Sequence, residues 1–110
     1  MHANNGKLFV YGALLDSSER CRLLGRSING EPARLEGYAR ERSRYFFVTP
    51  RENSVVEGEI LSGLSDADIA ILDEYEEVPR LYVREQIEVA VSGGKLARCW
   101  IYLPTGWERS

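Results

Sequence analysis

Few residues in this sequence can do chemistry, and the most informative of them is Glu76. Ser65-Asp66-Ala67-Asp68 offers a capping serine followed by acidic residues, the pattern of a helix N-terminus. A helix that starts there turns by about 100° per residue and puts Ile69, Leu72, Ile71 and Tyr75 on one apolar stripe. Glu76 lies four residues beyond Leu72 and falls on the same stripe, while Glu74 and Glu77 point to water. Burial disfavours an ionised carboxylate, and so does the negative end of a helix dipole. Both predict that the Glu76 pKa lies above the reference of about 4.3, toward the range useful for proton transfer. A solvated acidic helix end, or an ion pair with Arg80 or Arg84, accounts for the same residues without catalysis. Periodicity alone leaves both readings open.

The rest of the composition excludes much. The one histidine among 110 residues is His2, at the amino end, which removes Ser–His and Cys–His nucleophiles and most transition-metal sites. Cys21 and Cys99 are far apart and lack a CxxC spacing, so they read as free, buried thiols of a cytosolic chain. Cys21 also has no neighbouring base to make it a nucleophile. A net charge of −3 argues against nucleic acid as a partner. Arg40, Arg42, Arg44 and Arg51 interleave with Tyr45 and Phe46, but Glu36 and Glu41 alternate with them, the pattern of a solvated strand face. No apolar run approaches the roughly 20 residues of a membrane span. Met1 to Lys7 has no apolar signal core, which predicts a cytoplasmic protein. Gly93-Gly94 lacks the strand and helix that flank a phosphate loop and reads as a turn.

The elements that must position Glu76 follow from turn signals and alternation. Lys7–Tyr11 predicts a strand ended by Gly12, and a short helix capped by Ser17 or Ser18 runs to Gly25 with Leu23 and Leu24 inward. Pro32–Tyr38, with a bend at Gly37, and Tyr45–Thr49, closed by Pro50 and a turn at Glu52-Asn53-Ser54, are extended. Val55–Leu61 makes a further strand, weakened at Gly58. Pro79 marks the latest end of the main helix. Tyr82–Val91 and Leu96–Leu103 form a hairpin across Ser92–Lys95, with Val83, Ile87, Val89 and Val91 on one face. The sum is an α+β chain, a single domain over 1–110. Its strands form a small curved sheet or barrel of five to seven short strands with one main and one short helix.

The segments also fall in a recognisable order. Leu8-Phe9-Val10-Tyr11-Gly12-Ala13-Leu14 resembles the FVYG(T/S)L segment of the γ-glutamylcyclotransferase-like family, in its small avirulence-induced-gene-like branch. Leu72-Asp73-Glu74-Tyr75-Glu76 with Tyr82-Val83-Arg84 resembles that family's LDxYEG…YxR segment, and the match runs from about Leu8 to Leu103. The resemblance implies a small mixed β-barrel with helices outside. It also implies release of 5-oxoproline from γ-glutamyl compounds, with Glu76 as acid/base and no metal or cofactor. The backbone of Tyr11, Gly12, Ala13 and Leu14 would bind substrate. Beside the resemblance, Tyr11, Tyr38 and Tyr102 read equally as pocket-lining or as half-buried packing residues, and Arg84 as a ligand for a substrate carboxylate or a structural partner of Glu76 or Asp73. The partner is then a small γ-glutamyl molecule, with neither nucleic acid nor membrane involved. Two positions depart from the pattern: Ala13 stands where Ser or Thr is usual, and Glu77 where glycine often follows the glutamate. A non-catalytic module binding a small anion, or a scaffold, is the alternative on the same fold.

Overall fold

The computed structural model describes residues 5–107, so His2 lies outside the described residues. Five strands close into a mixed barrel in the order β1-β3-β2-β4-β5. They are β1 (Leu8–Val10), β2 (Gly30–Arg42), β3 (Phe46–Leu61), β4 (Tyr82–Ala90) and β5 (Leu96–Pro104). All neighbours are antiparallel except β1 and β5, which pair in parallel through Leu8 and Trp100. Helices α1 (Ser17–Leu24) and α2 (Asp66–Tyr75) complete the α+β fold.

Period-2 alternation divides the apolar residues between two layers. One buried cluster, with Phe9, Leu35, Val56, Val89, Cys99 and Ile101 among its members, draws on all five strands and on neither helix, so it fills the barrel. The other joins the opposite faces of β1 and β5 (Leu8, Val10, Trp100, Tyr102) to Ile69 and Leu72 of α2. Gly58 is where the barrel closes tightly: a Cβ there would stand 2.3 Å from the Val10 carbonyl oxygen. The residue read as a weak point of a strand is one that lets β1 lie close against β3.

Three details differ from the sequence reading. Residues 46–61 form one strand and not two. Pro50 pairs with Tyr38 and Val55 with Glu36, so the anticipated turn at Glu52-Asn53-Ser54 is an outward bulge opposite Gly37. The bulge uses the left-handed region at Gly37 (φ 85°) and Asn53 (φ 64°). The α1 cap is Asp16, whose carboxylate accepts the Ser18 N–H at 2.8 Å, one residue before the expected serines. Ile71 is 41% exposed and lies off the buried stripe of α2. Asp68, buried on that helix, completes a capping box with Ser65 and receives Arg26 at 3.0 Å. The Arg26 guanidinium holds the Asp68 carboxyl down at about 2.

The end of α2 is a Schellman motif. The Glu77 N–H donates to the Glu74 carbonyl at 3.1 Å and the Val78 N–H to the Asp73 carbonyl at 3.0 Å. Val78 then packs on the cluster that contains Leu72. This geometry puts Glu77 at φ 56°, where a Cβ is unfavourable and glycine is the usual occupant. The Glu77–Arg80 ion pair is exposed and offsets little of that cost. Glu77→Gly is therefore expected to stabilise the fold by about 0.5–1 kcal/mol, read as a higher urea midpoint. A lower midpoint would contradict a strained cap.

Candidate active site

The Schellman cap sets the direction of Glu76. Its N–H still donates to the Leu72 carbonyl at 2.9 Å, so the residue keeps helical geometry as the last position of the α2 spiral. The Asp73 carboxylate, one turn earlier, accepts Arg84 Nε at 2.9 Å, Arg84 Nη2 at 3.1 Å and the Tyr102 hydroxyl at 2.8 Å. The Arg84 guanidinium also lies 4.1 Å from the centroid of the Trp100 ring. These contacts seat the end of α2 on β4 and β5, and Glu76 projects into a cavity of about 350 Å³. That volume is within the range of small-molecule sites, roughly 300–1,000 Å³.

Glu76 is half-buried there, and burial raises its carboxyl from the ordinary range to about 7. The sequence reading anticipated the direction and the burial. Among the described residues Glu76 has no cation in an ion pair to oppose the shift. The carboxyl can thus exchange a proton near neutrality.

The opposite wall is the turn after β1. Gly12 precedes a 3-10 turn over Ala13–Leu15, closed by the Leu15 N–H on the Gly12 carbonyl at 2.9 Å. The first N–H groups of such a turn have no acceptor within it, so they are available to an incoming anion. One side chain secures this turn. Arg20 of α1 is only 3% exposed. It donates to the Leu14 carbonyl at 2.9 Å, the Leu15 carbonyl at 3.2 Å and the Ile28 carbonyl at 2.7 Å. Its fourth partner is Glu59 Oε1 of β3 at 3.4 Å. Nothing in the α1 sequence separates Arg20 from the exposed Arg22, so it escaped notice.

Of the residues singled out from sequence, Glu76, Tyr11, Gly12, Ala13, Leu14 and Tyr102 all line the cavity. The two tyrosines do so with their hydroxyls engaged: Tyr11 donates to the Tyr102 carbonyl at 2.6 Å and Tyr102 to Asp73. Burial pushes both phenols far above their usual range, so they are neutral wall residues. Tyr38 and Arg84 do not line the cavity. Tyr38 packs against the cluster inside the barrel, and Arg84 is occupied by Asp73 and Trp100. Arg42, Arg44, Tyr45 and Tyr82 line it without having been assigned to it. Tyr82 sits in the YxR segment, which was the available signal; its hydroxyl donates to the Phe46 carbonyl. Cys21 and Cys99 are free thiols as read, but Cys21 is exposed.

Two outcomes follow for stability. Below about pH 4.5 Glu76 carries its proton in both folded and unfolded chains. Between about pH 4.5 and about 7 the unfolded chain ionises first, so stability falls as pH rises through that window. Glu76→Gln is expected to be the more stable protein at pH 8, by on the order of 2–3 kcal/mol, and to match the wild type near pH 4.5. Urea titrations at both pH values measure this, and a constant difference would refute a raised carboxyl. Arg20→Met leaves buried carbonyls without donors and is expected to cost roughly 2–4 kcal/mol, against under about 0.5 for a merely peripheral arginine.

Comparison with known proteins bears on the family and the fold. The sequence model described as "Gamma-glutamyl cyclotransferase, AIG2-like" covers residues 8–109. A Methanocaldococcus jannaschii protein named "Gamma-glutamylcyclotransferase and putative RNase" is 28% identical over 103 residues, covering 91% of this chain and 46% of that protein. AIG2-like protein C of Arabidopsis thaliana is 34% identical over 88 residues, 77% of this chain and 50% of its own length. This chain spans about half the length of these two relatives. A solution structure from Arabidopsis thaliana superposes with a TM-score of 0.82 at 24% identity, over 97% of this chain and 66% of that one. A solved gamma-glutamyl cyclotransferase gives a TM-score of 0.77 at 24% identity, over 92% and 67%. With the family model spanning nearly the whole barrel, the chain belongs to the AIG2-like gamma-glutamyl cyclotransferase family.

Proposed function

We propose that this chain is a cytoplasmic γ-glutamylcyclotransferase that releases 5-oxoproline and a free amine from a γ-glutamyl amine or γ-glutamyl-amino acid. The observation that carries the reading is Glu76, half-buried with its carboxyl raised to about 7, in a cavity walled on its other side by the Gly12–Leu14 turn.

The substrate supplies its own nucleophile. Its α-amino nitrogen attacks the γ-carbonyl carbon and closes a five-membered ring, so the protein's first task is to hold the chain folded. Glu76 accepts a proton from that nitrogen as the C–N bond forms. N–H groups of Gly12, Ala13 and Leu14 face the oxygen on which negative charge develops, or the substrate carboxylate. Glu76 then returns the proton to the leaving nitrogen, and the γ-amide bond breaks. Every step is a proton transfer or an acyl shift, which this chain's own residues can serve without a cofactor. Ala13 offers the substrate an N–H with no hydroxyl beside it. A pure binder of a small anion gains nothing from a half-buried carboxylate in its pocket, so the binding-module alternative is the weaker account.

Purified protein incubated with γ-glutamyl compounds is expected to form 5-oxoproline, with kcat/KM rising with pH through a midpoint near 7 as Glu76 loses its proton. Glu76→Gln is expected to lower kcat by about 10²–10⁴-fold. Equal product from the two proteins would remove Glu76 from the reaction.

A further inference from the structure

Two cations in the cavity have no part in the chemistry described so far. Arg42 and Arg44, at the tip of the β2–β3 hairpin, line the same hollow as Glu76. Both are exposed, and neither takes part in an ion pair among the described residues. Arg42 rests 5.2 Å from the centroid of Phe46, which shares that ring with Arg40. Arg40 differs from them, since it donates to the Tyr11 carbonyl and does not line the cavity. The cavity's second carboxylate, Glu77, is already engaged by Arg80.

Depth orders these groups. Phe9, Tyr11, Leu14 and Tyr102 are buried, and Glu76 is half-buried beside them. Tyr45, next to Arg44 in the hairpin turn and lining the cavity with it, is 50% exposed. Neither arginine is paired with Glu76 among the described residues, and both are exposed where Glu76 is half-buried. A substrate that brings its α-amino group to Glu76 enters glutamyl end first. Its leaving group then faces the hairpin tip, where two unpaired forked donors suit a carboxylate.

We propose that Arg42 and Arg44 are specificity-determining residues that bind a carboxylate on the leaving amine. The chain then selects γ-glutamyl compounds whose leaving amine is an amino acid or peptide over those whose amine is uncharged. This rests on the cyclotransferase reading above.

The test compares γ-glutamyl-alanine with γ-glutamyl-ethylamine, which differ only by that carboxylate. The wild type is expected to favour the first by about tenfold or more in kcat/KM. The preference is expected to shrink with added salt, since the pair is exposed. In the Arg42→Gln/Arg44→Gln variant, with its fold checked by circular dichroism, the ratio is expected to drop to within about twofold of unity. Single Arg44→Gln should fall between, and stands in if the double variant does not fold. An equal loss on both substrates would overturn the proposal, because the arginines would then serve the glutamyl carboxylate. A wild type that turns over both substrates without preference would also overturn it and leave the cyclotransferase reading intact. If the wild type forms 5-oxoproline from neither, the parent reading fails and this one with it.

Discussion

The cavity depends on how the last turn of α2 is seated, and the Asp73 carboxylate seats it. A helix held only by apolar contacts can rotate or slide by small amounts, because dispersion and burial are non-directional. Asp73 adds direction: the Arg84 fork from β4 and the Tyr102 hydroxyl from β5 both converge on it. Leu72 beside it is almost fully buried and carries the apolar share of the contact. Two carboxylates one turn apart therefore meet opposite environments. Asp73 faces a cation and a hydroxyl, whereas Glu76 is half-buried in a cavity with several aromatic rings in its lining, and burial there lifts its carboxyl toward neutrality.

The other wall is held by a different kind of contact. A buried guanidinium is costly unless its donors are satisfied. Arg20 satisfies them largely with main-chain carbonyls from the turn after β1 and from the start of β2's approach at Ile28. The same bonds that make the arginine tolerable fix the path of the Gly12–Leu15 backbone. Ala13 can then lack a hydroxyl and still present its N–H, because the turn is shaped from behind. Tyr11 links the two walls, since its hydroxyl reaches the Tyr102 carbonyl.

Much of this was legible in the sequence where one element decided it. The place of Glu76 follows from its spacing to Ile69 and Leu72 within a single capped helix. The β4–β5 hairpin follows from alternation on either side of Gly93-Gly94, both of which adopt positive φ. Where two elements had to be combined, reading along the chain gave less. Arg42 and Arg44 looked like a solvated strand face, and locally they are; only the reach of the long β2–β3 hairpin brings its tip over the end of α2. Arg84 reads equally as a ligand for a substrate carboxylate or as a structural partner of Glu76 or Asp73, and the Asp73 pair is the one that forms. Tyr38 is ambiguous because inward on a strand can mean either the cavity or the barrel interior. Pro50 looked like a strand end, yet it is tolerated where the bulge opposite Gly37 interrupts regular pairing.

The parallel pairing of β1 with β5 has a consequence for the order of assembly. Leu8 meets Trp100 almost a full chain length away, and the Trp100 N–H donates to the Lys7 carbonyl at 2.9 Å. The long β2–β3 hairpin and the β4–β5 hairpin can each form from sequence neighbours. The seam that closes the barrel cannot, because the loop entropy of nearly the whole chain must be met before that contact returns anything. The seam is thus expected to close after the two hairpins, with β1 held until then by its pairing with β3 alone.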